Sequence, residues 1–385
     1  MLVHVGFFVY FCNKMKLKNY IIMANLIENA NLSGLKREDF QTTVNGKKTD
    51  LYILRNRKGY EVAITNYGGA ICSVMVPDKE GNVANVVQGH DNIQSVINSP
   101  EPYLSTLIGR FGNRICRGQF TLNGKEYQLA INNGPNALHG GPKGFHALVW
   151  DARQMGPRSL ALHRISSYGE EGFTGEVDVT VEFTWSDENE LIIEYMASTN
   201  KKTIINLTHH AFFSLAGTAD PTPVVNDQVL EMNADFFLPI DDTCIPTGEI
   251  LKVAGTPFDF RTPKAVGKDI DADNEQIKNG AGYDHCFVLN KKEEEELSFA
   301  ARLTEPQSGR TLEVYTTEPG MQVYSDNWAT GYKGVHGATF GRRSAICFEC
   351  QHFPDSPNRP YFLSVVLTPH HRYKQKTIYK FGIAD

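Results

Sequence analysis

Two adjacent histidines, His209 and His210, stand inside the apolar segment NLTHHAFFSLAG (206–217) of a chain with 12 histidines. Such a pair could bind a metal ion, fill a buried structural position or carry a proton. If the segment is a strand, successive side chains point to opposite faces, so both rings cannot ligate one ion. The chain also has no H-x-H or H-E-x-x-H pattern. We therefore expect no metal here, which leaves the structural and the proton-carrying interpretations.

Five other segments carry charged or amide side chains in apolar surroundings. Charged side chains are seldom buried unless they are paired, so several such segments predict a polar pocket inside a β-rich scaffold. One segment has Cys347 and Cys350 in C-x-x-C spacing, but its flanks are typical of a strand, whereas the redox motif needs a helix N-terminus. The segments are LIGRFGNRICRG (107–118) with Arg110, Asn113 and Arg114; NNGPNALHGGPKGFH (132–146) with His139; GYDHCF (282–287) with Asp284 and His285; PGMQVY (319–324) with Gln322; and ICFECQHFPD (346–355) with Glu349 and Gln351.

Composition limits what such a pocket could bind. The chain has 385 residues, a net charge of -6 and 41% hydrophobic residues, which is typical of a globular protein with a large core. The absence of a long basic stretch argues against nucleic acid and membrane surfaces as partners and favours a small neutral molecule. Seven cysteines, an odd number, predict free thiols in a reducing compartment, hence a cytoplasmic protein. We also expect a monomer.

The elements that must position these residues are mostly strands. EVDVTVEFTW (176–185) alternates apolar and polar residues, SDENE (186–190) is a turn, and LIIEYMAS (191–198) is the hairpin partner. DNIQSVINS (91–99) is a short helix candidate capped by Asp91, and EEEE (293–296) is typical of a solvated turn. We predict an all-β fold, a large antiparallel β-sandwich with few short helices. Further strands are expected in YEVAITNYGGAICSVMVP (60–77), GQFTLNGKEYQLA (118–130), RSLALHRISS (158–167), RTLEVYTTEPGMQVYS (310–325) and YFLSVVLTP (361–369).

The N-terminal residues are set apart from this pattern. LVHVGFFVYFC (2–12) has the length of a signal-peptide core, but no basic residue precedes it and no small-residue cleavage site follows it. Export through this segment stays open as an alternative, as do translation starts at Met15 and Met23. We expect residues 1–34 to be a poorly ordered extension and residues 35–385 to form a single domain.

Nine segments, taken together and in order, resemble the aldose 1-epimerases, or galactose mutarotases. The resemblance covers the chain from about Gly34 to its end, and it implies a mutarotase-like β-supersandwich that interconverts the α and β anomers of free aldoses such as glucose and galactose. The segments are NYGGAICSVMVPDKEGNVANVVQGHD (66–91), GRFGNRI (109–115), NNGPNALHGG (132–141), NLTHHAFFSLAG (206–217), LPIDDTCIPTG (238–248), FDFR (258–261), GYDHCF (282–287), TTEPGMQVY (316–324) and FECQHFPDSPN (348–358).

The resemblance also implies a role for each matching residue. The histidine of the family's N-H-S-Y-F segment falls on His210 and would be the general acid, and the glutamate of its E-T-Q segment falls on Glu349 and would be the general base. Removing the C1 hydroxyl proton while protonating the ring oxygen opens the ring and needs no metal or redox cofactor. A bound calcium ion is conceivable by analogy with related bacterial enzymes, but this sequence does not identify its ligands. The sugar-binding positions would be Asn113, Arg114, His139, Asp284 and Gln322.

The chain departs from the family's pattern close to the acid and the base. Ala211 and Phe212 replace a serine and a tyrosine, His209 replaces an asparagine, and Cys350 replaces a threonine. These changes leave the preferred sugar open.

Three other functions remain as alternatives. Asp284 and Glu349 could be the carboxylate pair of a glycosidase. The sandwich could bind sugars without catalysis, but a non-catalytic protein would be expected to have lost His210 or Glu349, and this chain has both. A hexose-6-phosphate epimerase would need an arginine and lysine cluster for the phosphate, and the sequence shows none.

Overall fold

A computed structural model describes residues 31–384, and antiparallel sheets make up most of this part. The nine-stranded sheet has the spatial order Asp151–Gln154, Ser159–Ser166, Val177–Trp185, Glu190–Thr199, Tyr373–Ile383, Arg310–Thr316, Ser298–Thr304, Val229–Met232 and Lys264–Ala265. The six-stranded sheet has the order Phe212–Phe213, Ile346–Gln351, Gly320–Tyr324, Asp284–Leu289, Ala234–Phe237 and Leu251–Lys252. The four-stranded sheet has the order Leu51–Arg55, Glu61–Thr65, Ile71–Pro77 and Val83–Asn85.

Smaller elements connect these sheets. The two-stranded sheets are Thr43–Val44 with Lys47–Lys48, Gln119–Leu122 with Lys125–Gln128, Arg114–Ile115 with Ala137–Leu138, Thr203–Ile204 with Val366–Leu367, Leu107–Ile108 with Thr208–His209, and Thr330–Lys333 with Thr339–Gly341. The α-helices of the described residues are Ile93–Ile97 and Glu275–Gly280. The 3₁₀ helices are Arg37–Phe40, Cys116–Gly118, Phe145–Ala147, Glu170–Gly172, Val225–Asp227, Val266–Lys268, Val335–Gly337 and Ser356–Asn358. The predicted all-β sandwich with few short helices is confirmed.

The main core lies between the large sheet and the six- and four-stranded sheets, because apolar residues of all three form one cluster. Strand Val177–Trp185 shows the cause: its apolar positions are buried, while the alternating polar positions keep partial exposure. Its partner Glu190–Thr199 runs in register, with Val181 opposite Tyr195. Each large apolar side chain buried here stabilises the fold by about 1.5–3 kcal/mol.

The central strands Gly320–Tyr324 and Ile346–Gln351 of the six-stranded sheet are buried on both faces, and this arrangement creates the polar site. All six residues of strand Ile346–Gln351 are buried. Phe348 and Cys350 belong to the main core, so the alternating residues Glu349 and Gln351 point to the opposite face of the sheet. A polar pocket can therefore lie directly behind the core.

Several predicted details need correction. The helix Ile93–Ile97 is capped by Asn92, whose side chain accepts from the Ser95 N–H at 2.9 Å, whereas the Asp91 carboxylate accepts from the backbone N–H of His336. The predicted strand YFLSVVLTP is reduced to Val366–Leu367. The six described cysteines are free, as predicted, and Cys116 and Cys244 are only partly buried. The 293–296 segment is a mostly exposed turn, as expected.

Residues 1–30, with the apolar segment and the alternative starts, lie outside the described part. The next residues contact the domain: the Leu32 N–H donates to the Glu61 carboxylate at 2.6 Å, and Ser33 is buried. Among residues 31–384, no helix is both long and apolar enough to cross a membrane.

Candidate active site

A cleft of about 500 Å³ brings together six of the seven residues to which the family resemblance assigns a role. The seventh, Gln322, is buried behind the cleft wall, where its Nε2 donates to Asp284 Oδ1 at 2.6 Å. Gln322 therefore holds Asp284 in position from behind. The six lining residues are Asn113, Arg114, His139, His210, Asp284 and Glu349.

Glu349 stands on the floor of the cleft because of strand register. It lies opposite Gln322 on the neighbouring strand, and Gln322 in turn lies opposite Cys286 on the strand that begins with Asp284. The Glu349 side chain is 2% exposed. Its Oε2 atom has no hydrogen-bond partner among the described residues, so it is free to accept from a bound molecule.

His210 faces Glu349, and its neighbour His209 faces the core. The His210 Nε2 atom lies 3.5 Å from Glu349 Oε1, and its ring stacks on Phe212 with centroids 4.8 Å apart. His209 instead packs edge-on against Phe183 and bonds the Gly69 carbonyl through Nε2 at 3.2 Å. The expected alternation of the two histidines is confirmed.

His139 and Asn113 hold each other in place. Both have left-handed backbone conformations, with φ of 51° and 62°, and such strain persists only where the surroundings impose it. The Asn113 N–H donates to His139 Nδ1 at 3.1 Å, and the His139 N–H donates to the Asn113 carbonyl. Because Nδ1 is an acceptor, a neutral His139 must carry its proton on Nε2. The ring is thereby fixed as an Nε2–H donor.

Arg114 and Asp284 form a buried ion pair at 3.5 Å. Arg114 Nε also donates to Asn133 Oδ1 at 2.9 Å, and Asp284 accepts from Gln322. Both charged groups thus have fixed partners, as buried charges require. The pair presents one cation and one anion to a ligand in defined positions.

Burial shifts the pKa values of the catalytic candidates in opposite directions. Burial, reinforced by the charge of Asp284, raises the pKa of Glu349 well above its usual value. Burial lowers the pKa of His210 to about 3, and the His139 pKa also falls well below its usual range. Both shifts favour a neutral pair with the shared proton on Glu349, because low dielectric disfavours either charge. We therefore expect the sugar-free pair to be neutral, and not an ion pair of a Glu349 carboxylate and a charged His210.

His139, His210 and Glu349 each offer a metal-ligand atom, and these atoms lie within 4.8 Å of one another. This set does not fit calcium, which prefers six to eight oxygen ligands. It also fits zinc poorly, because His139 Nδ1 already accepts from Asn113 and its Nε2 carries the proton. The geometry suits proton transfer better than metal binding.

Other residues from the polar segments lie outside the cleft. Arg110 is 2% exposed and donates to Ser166 and to the carbonyls of Thr174 and Gly175, so it ties loops together. His285 is fully buried beside Phe258. A larger cavity, of about 680 Å³, contains the His352–Glu318 pair but none of the candidate site residues.

The cleft also has lining residues that the sequence did not reveal as site residues. Tyr103 packs edge-on against His139 and lies near His210, and Trp328 is 60% exposed at the wall. The turns that contain Tyr103 and Trp328 have no hydrophobic periodicity or sequence motif, so only the folded structure identifies these residues as part of the cleft. The others include Glu101, Asn133, Asp242, Thr243, Cys244 and Tyr324.

The fold is a β-sandwich, and its polar cleft brings a buried histidine and a buried carboxyl together. The chain belongs to the aldose 1-epimerase family, whose model, described as aldose 1-epimerase, matches residues 50–380. It is 43% identical to the galactose mutarotase of Bos taurus over 324 residues, which cover 84% of this chain and 91% of the relative. It is 34% identical to the aldose 1-epimerase of Haemophilus influenzae, covering 89% and 99% of the two chains.

Solved structures of aldose epimerases have the same fold as this chain. A GalM/aldose epimerase homologue from C. elegans superposes with a TM-score of 0.80 at 30% identity, covering 88% of this chain and 100% of that one. The galactose 1-epimerase of Lactobacillus acidophilus gives a TM-score of 0.77 at 27% identity, with 89% and 97% covered.

Proposed function

We propose that His210 and Glu349 of this aldose 1-epimerase interconvert the α and β anomers of free aldohexoses, including glucose and galactose, by general acid/base catalysis. The observation that carries the proposal is the 3.5 Å approach of His210 Nε2 to Glu349 Oε1 in a buried cleft. An acid and a base this close can act on the C1 hydroxyl and the ring oxygen of one sugar.

The proton moves in a cycle. Glu349 takes the proton from the C1 hydroxyl as the C1–O5 bond breaks, and His210 gives a proton to O5. The open chain is a free aldehyde, and rotation about the C1–C2 bond presents its other face. His210 then takes the proton back from O5 while Glu349 returns one to O1, so the pair ends in its starting state.

Sugar binding must place the shared proton on His210 before the ring opens. A C1 hydroxyl that donates to Glu349 favours the carboxylate form, because a hydrogen bond to the charged form lowers the pKa of an acid. Arg114 acts in the same direction on Glu349. The fixed Nε2–H of His139 can meet negative charge that develops on a sugar oxygen.

The geometry favours this mechanism over a glycosidase. A glycosidase needs a second carboxyl that acts as nucleophile or acid, but Asp284 is held by Arg114 and Gln322. Asp284 therefore serves better as a fixed acceptor for a sugar hydroxyl, with Asn113 and Arg114 as its neighbours in the binding wall. Hydrolysis of aryl glycosides by the purified protein would support the rival function.

The remaining expectations concern the cell and the assembly. We expect a monomeric, cytoplasmic enzyme of hexose and galactose metabolism that works without a cofactor. One chain supplies all the residues of the proposed mechanism, which is compatible with a monomer.

Polarimetry tests the proposed function. Freshly dissolved α-galactose and α-glucose should each reach anomeric equilibrium much faster with the protein than without it. Heat-denatured protein is the matched control. An unchanged rate with both sugars would refute the proposal.

A further inference from the structure

Glu101 is a cleft residue that the proposed mechanism does not use. It is half-buried and lines the same cavity as His210 and Glu349. Its Oε1 atom accepts from the Tyr103 N–H at 3.1 Å. Burial raises the pKa of this carboxyl to about 7, so its charge changes near neutral pH.

The turn around Glu101 needs its oxygen but not its charge. Besides the bond from Tyr103, the Glu101 backbone carbonyl accepts from the Leu104 N–H and from the Ser99 hydroxyl. A glutamine at this position retains a side-chain carbonyl oxygen for the Tyr103 N–H. Glu101→Gln therefore removes the charge and preserves the turn.

The charged groups that line the cleft are mostly acidic. Arg114, the single guanidinium in the lining, is already paired with Asp284. His139 and His210 are neutral near pH 7 because their pKa values are lowered. A negative cleft with low-dielectric walls attracts cations and repels anions. The lining carboxyls are Glu101, Asp242, Asp284 and Glu349, of which Glu349 is expected to keep its proton in the sugar-free enzyme.

We propose that Glu101 makes this cleft selective by charge, so that the enzyme accepts ammonium-bearing amino sugars beside neutral aldoses and discriminates against anionic aldoses such as uronates and sugar phosphates. The inference rests on the proposed function. Of the two unpaired acidic residues in the lining outside the catalytic pair, Asp242 is exposed to solvent, which screens its charge. Glu101 is half-buried, so its charge acts on a bound sugar with less screening.

The discrimination should follow the ionisation of Glu101. A galacturonate carboxylate stays charged from pH 5.5 to 8.5, so the ratio of kcat/KM for galacturonate to that for galactose should fall as pH rises through about 7. Asp326 is the group that could produce a similar profile, since burial raises its pKa to about 8. Glu101 interacts electrostatically with Asp326, Glu349, Tyr103, Tyr324, Tyr332 and Cys347.

The experiment compares three substrates on the full-length enzyme and on Glu101→Gln by stopped-flow polarimetry. At pH 8.5, where Glu101 is mostly ionised, the kcat/KM of galacturonate relative to galactose should rise about tenfold, the effect that one unit charge has over roughly 12 Å at an effective dielectric constant of about 20. The value for galactosamine relative to galactose, measured at pH 6.5, should fall by about threefold, because only about a quarter of Glu101 is ionised at that pH. A purely structural role of Glu101 would not move these two ratios in opposite directions.

Two controls and a salt series complete the test. Glu188→Gln changes the net charge equally in an exposed turn of the large sheet and should leave both ratios unchanged. Asp326→Asn should keep the pH dependence, whereas Glu101→Gln should abolish it. High salt should weaken the wild-type discrimination.

The outcomes separate this inference from the proposed function. A wild-type protein that does not accelerate galactose mutarotation refutes the proposed function. An active enzyme whose two ratios are unchanged in Glu101→Gln, or whose pH dependence is lost in Asp326→Asn and not in Glu101→Gln, overturns the charge-selection proposal alone.

Discussion

The location of the shared proton in the sugar-free enzyme follows from burial, and it can be measured. Burial lowers the pKa of His210 to about 3, so at pH 6 only about one His210 ring in a thousand should be charged. An unshifted histidine would be mostly charged at that pH. The pKa of Glu349 is raised, so its carboxyl should keep the proton. We therefore expect a neutral pair, with the acidic limb of kcat/KM from a second proton on His210 and the basic limb from Glu349.

Nitrogen NMR of histidine-labelled protein distinguishes the two states of the pair, with His210→Asn used to assign the resonance. The His210 ring should show the neutral tautomer signals at pH 6, and Glu349→Gln should leave them almost unchanged, because a neutral carboxyl is replaced by a neutral amide. A charged His210 at pH 6 that becomes neutral in Glu349→Gln would refute the reasoning, because that response requires an ion pair.

The other predictions concern the stability of the fold, the second histidine and metals. Buried histidines with lowered pKa values gain a proton only on unfolding, so each should cost about 1.4 kcal/mol of stability per pH unit as pH falls below 6.5. The raised pKa values of Glu101 and Asp326 act in the opposite direction, so urea unfolding of wild type and His209→Asn at pH 7 and pH 5 isolates one histidine, and an equal pH dependence of the two proteins would contradict the claim. His209→Asn should keep most turnover and lower stability by about 1–3 kcal/mol through the lost core packing and hydrogen bond; a loss of turnover equal to that of His210→Asn would contradict the opposite facing of the rings. EDTA should leave turnover unchanged, whereas lost activity that calcium restores would reveal a functional ion. The buried histidines with lowered pKa values are His90, His139, His146, His209, His210 and His285.

The sequence predicted the strands and the faces of their residues well, because period-two alternation depends only on which side of a sheet is buried. Strand Val177–Trp185 and the opposite facing of His209 and His210 are examples. Aspartate and asparagine cap helices equally well, so the sequence does not decide between Asp91, the predicted cap, and Asn92. Only the tertiary contact with His336 determines that Asn92 is the cap.

The sequence predicted the site less completely, because a cleft depends on long-range contacts. The sequence did not show that Gln322, whose predicted sugar-binding role stays a prediction, also donates to Asp284 from its position opposite Glu349. Glu101 and Trp328 lie on loops without a pattern, and their membership of the cleft follows only from how the loops pack. The sequence also did not predict the protonation states of His210 and Glu349, because their pKa shifts come from burial in the folded chain.

The central claim is that Glu349 and His210 transfer the protons, and variants that keep binding test it most directly. Glu349→Gln and His210→Asn retain approximate size and hydrogen bonding, so each should lower kcat at least about 100-fold in stopped-flow polarimetry. The double variant should lose far less than the product of the two losses, because both residues serve one step. Calorimetric affinity for glucose should stay within about tenfold in all three variants, because Arg114 and Asp284 remain. A Glu349→Gln enzyme with turnover close to wild type would contradict the account.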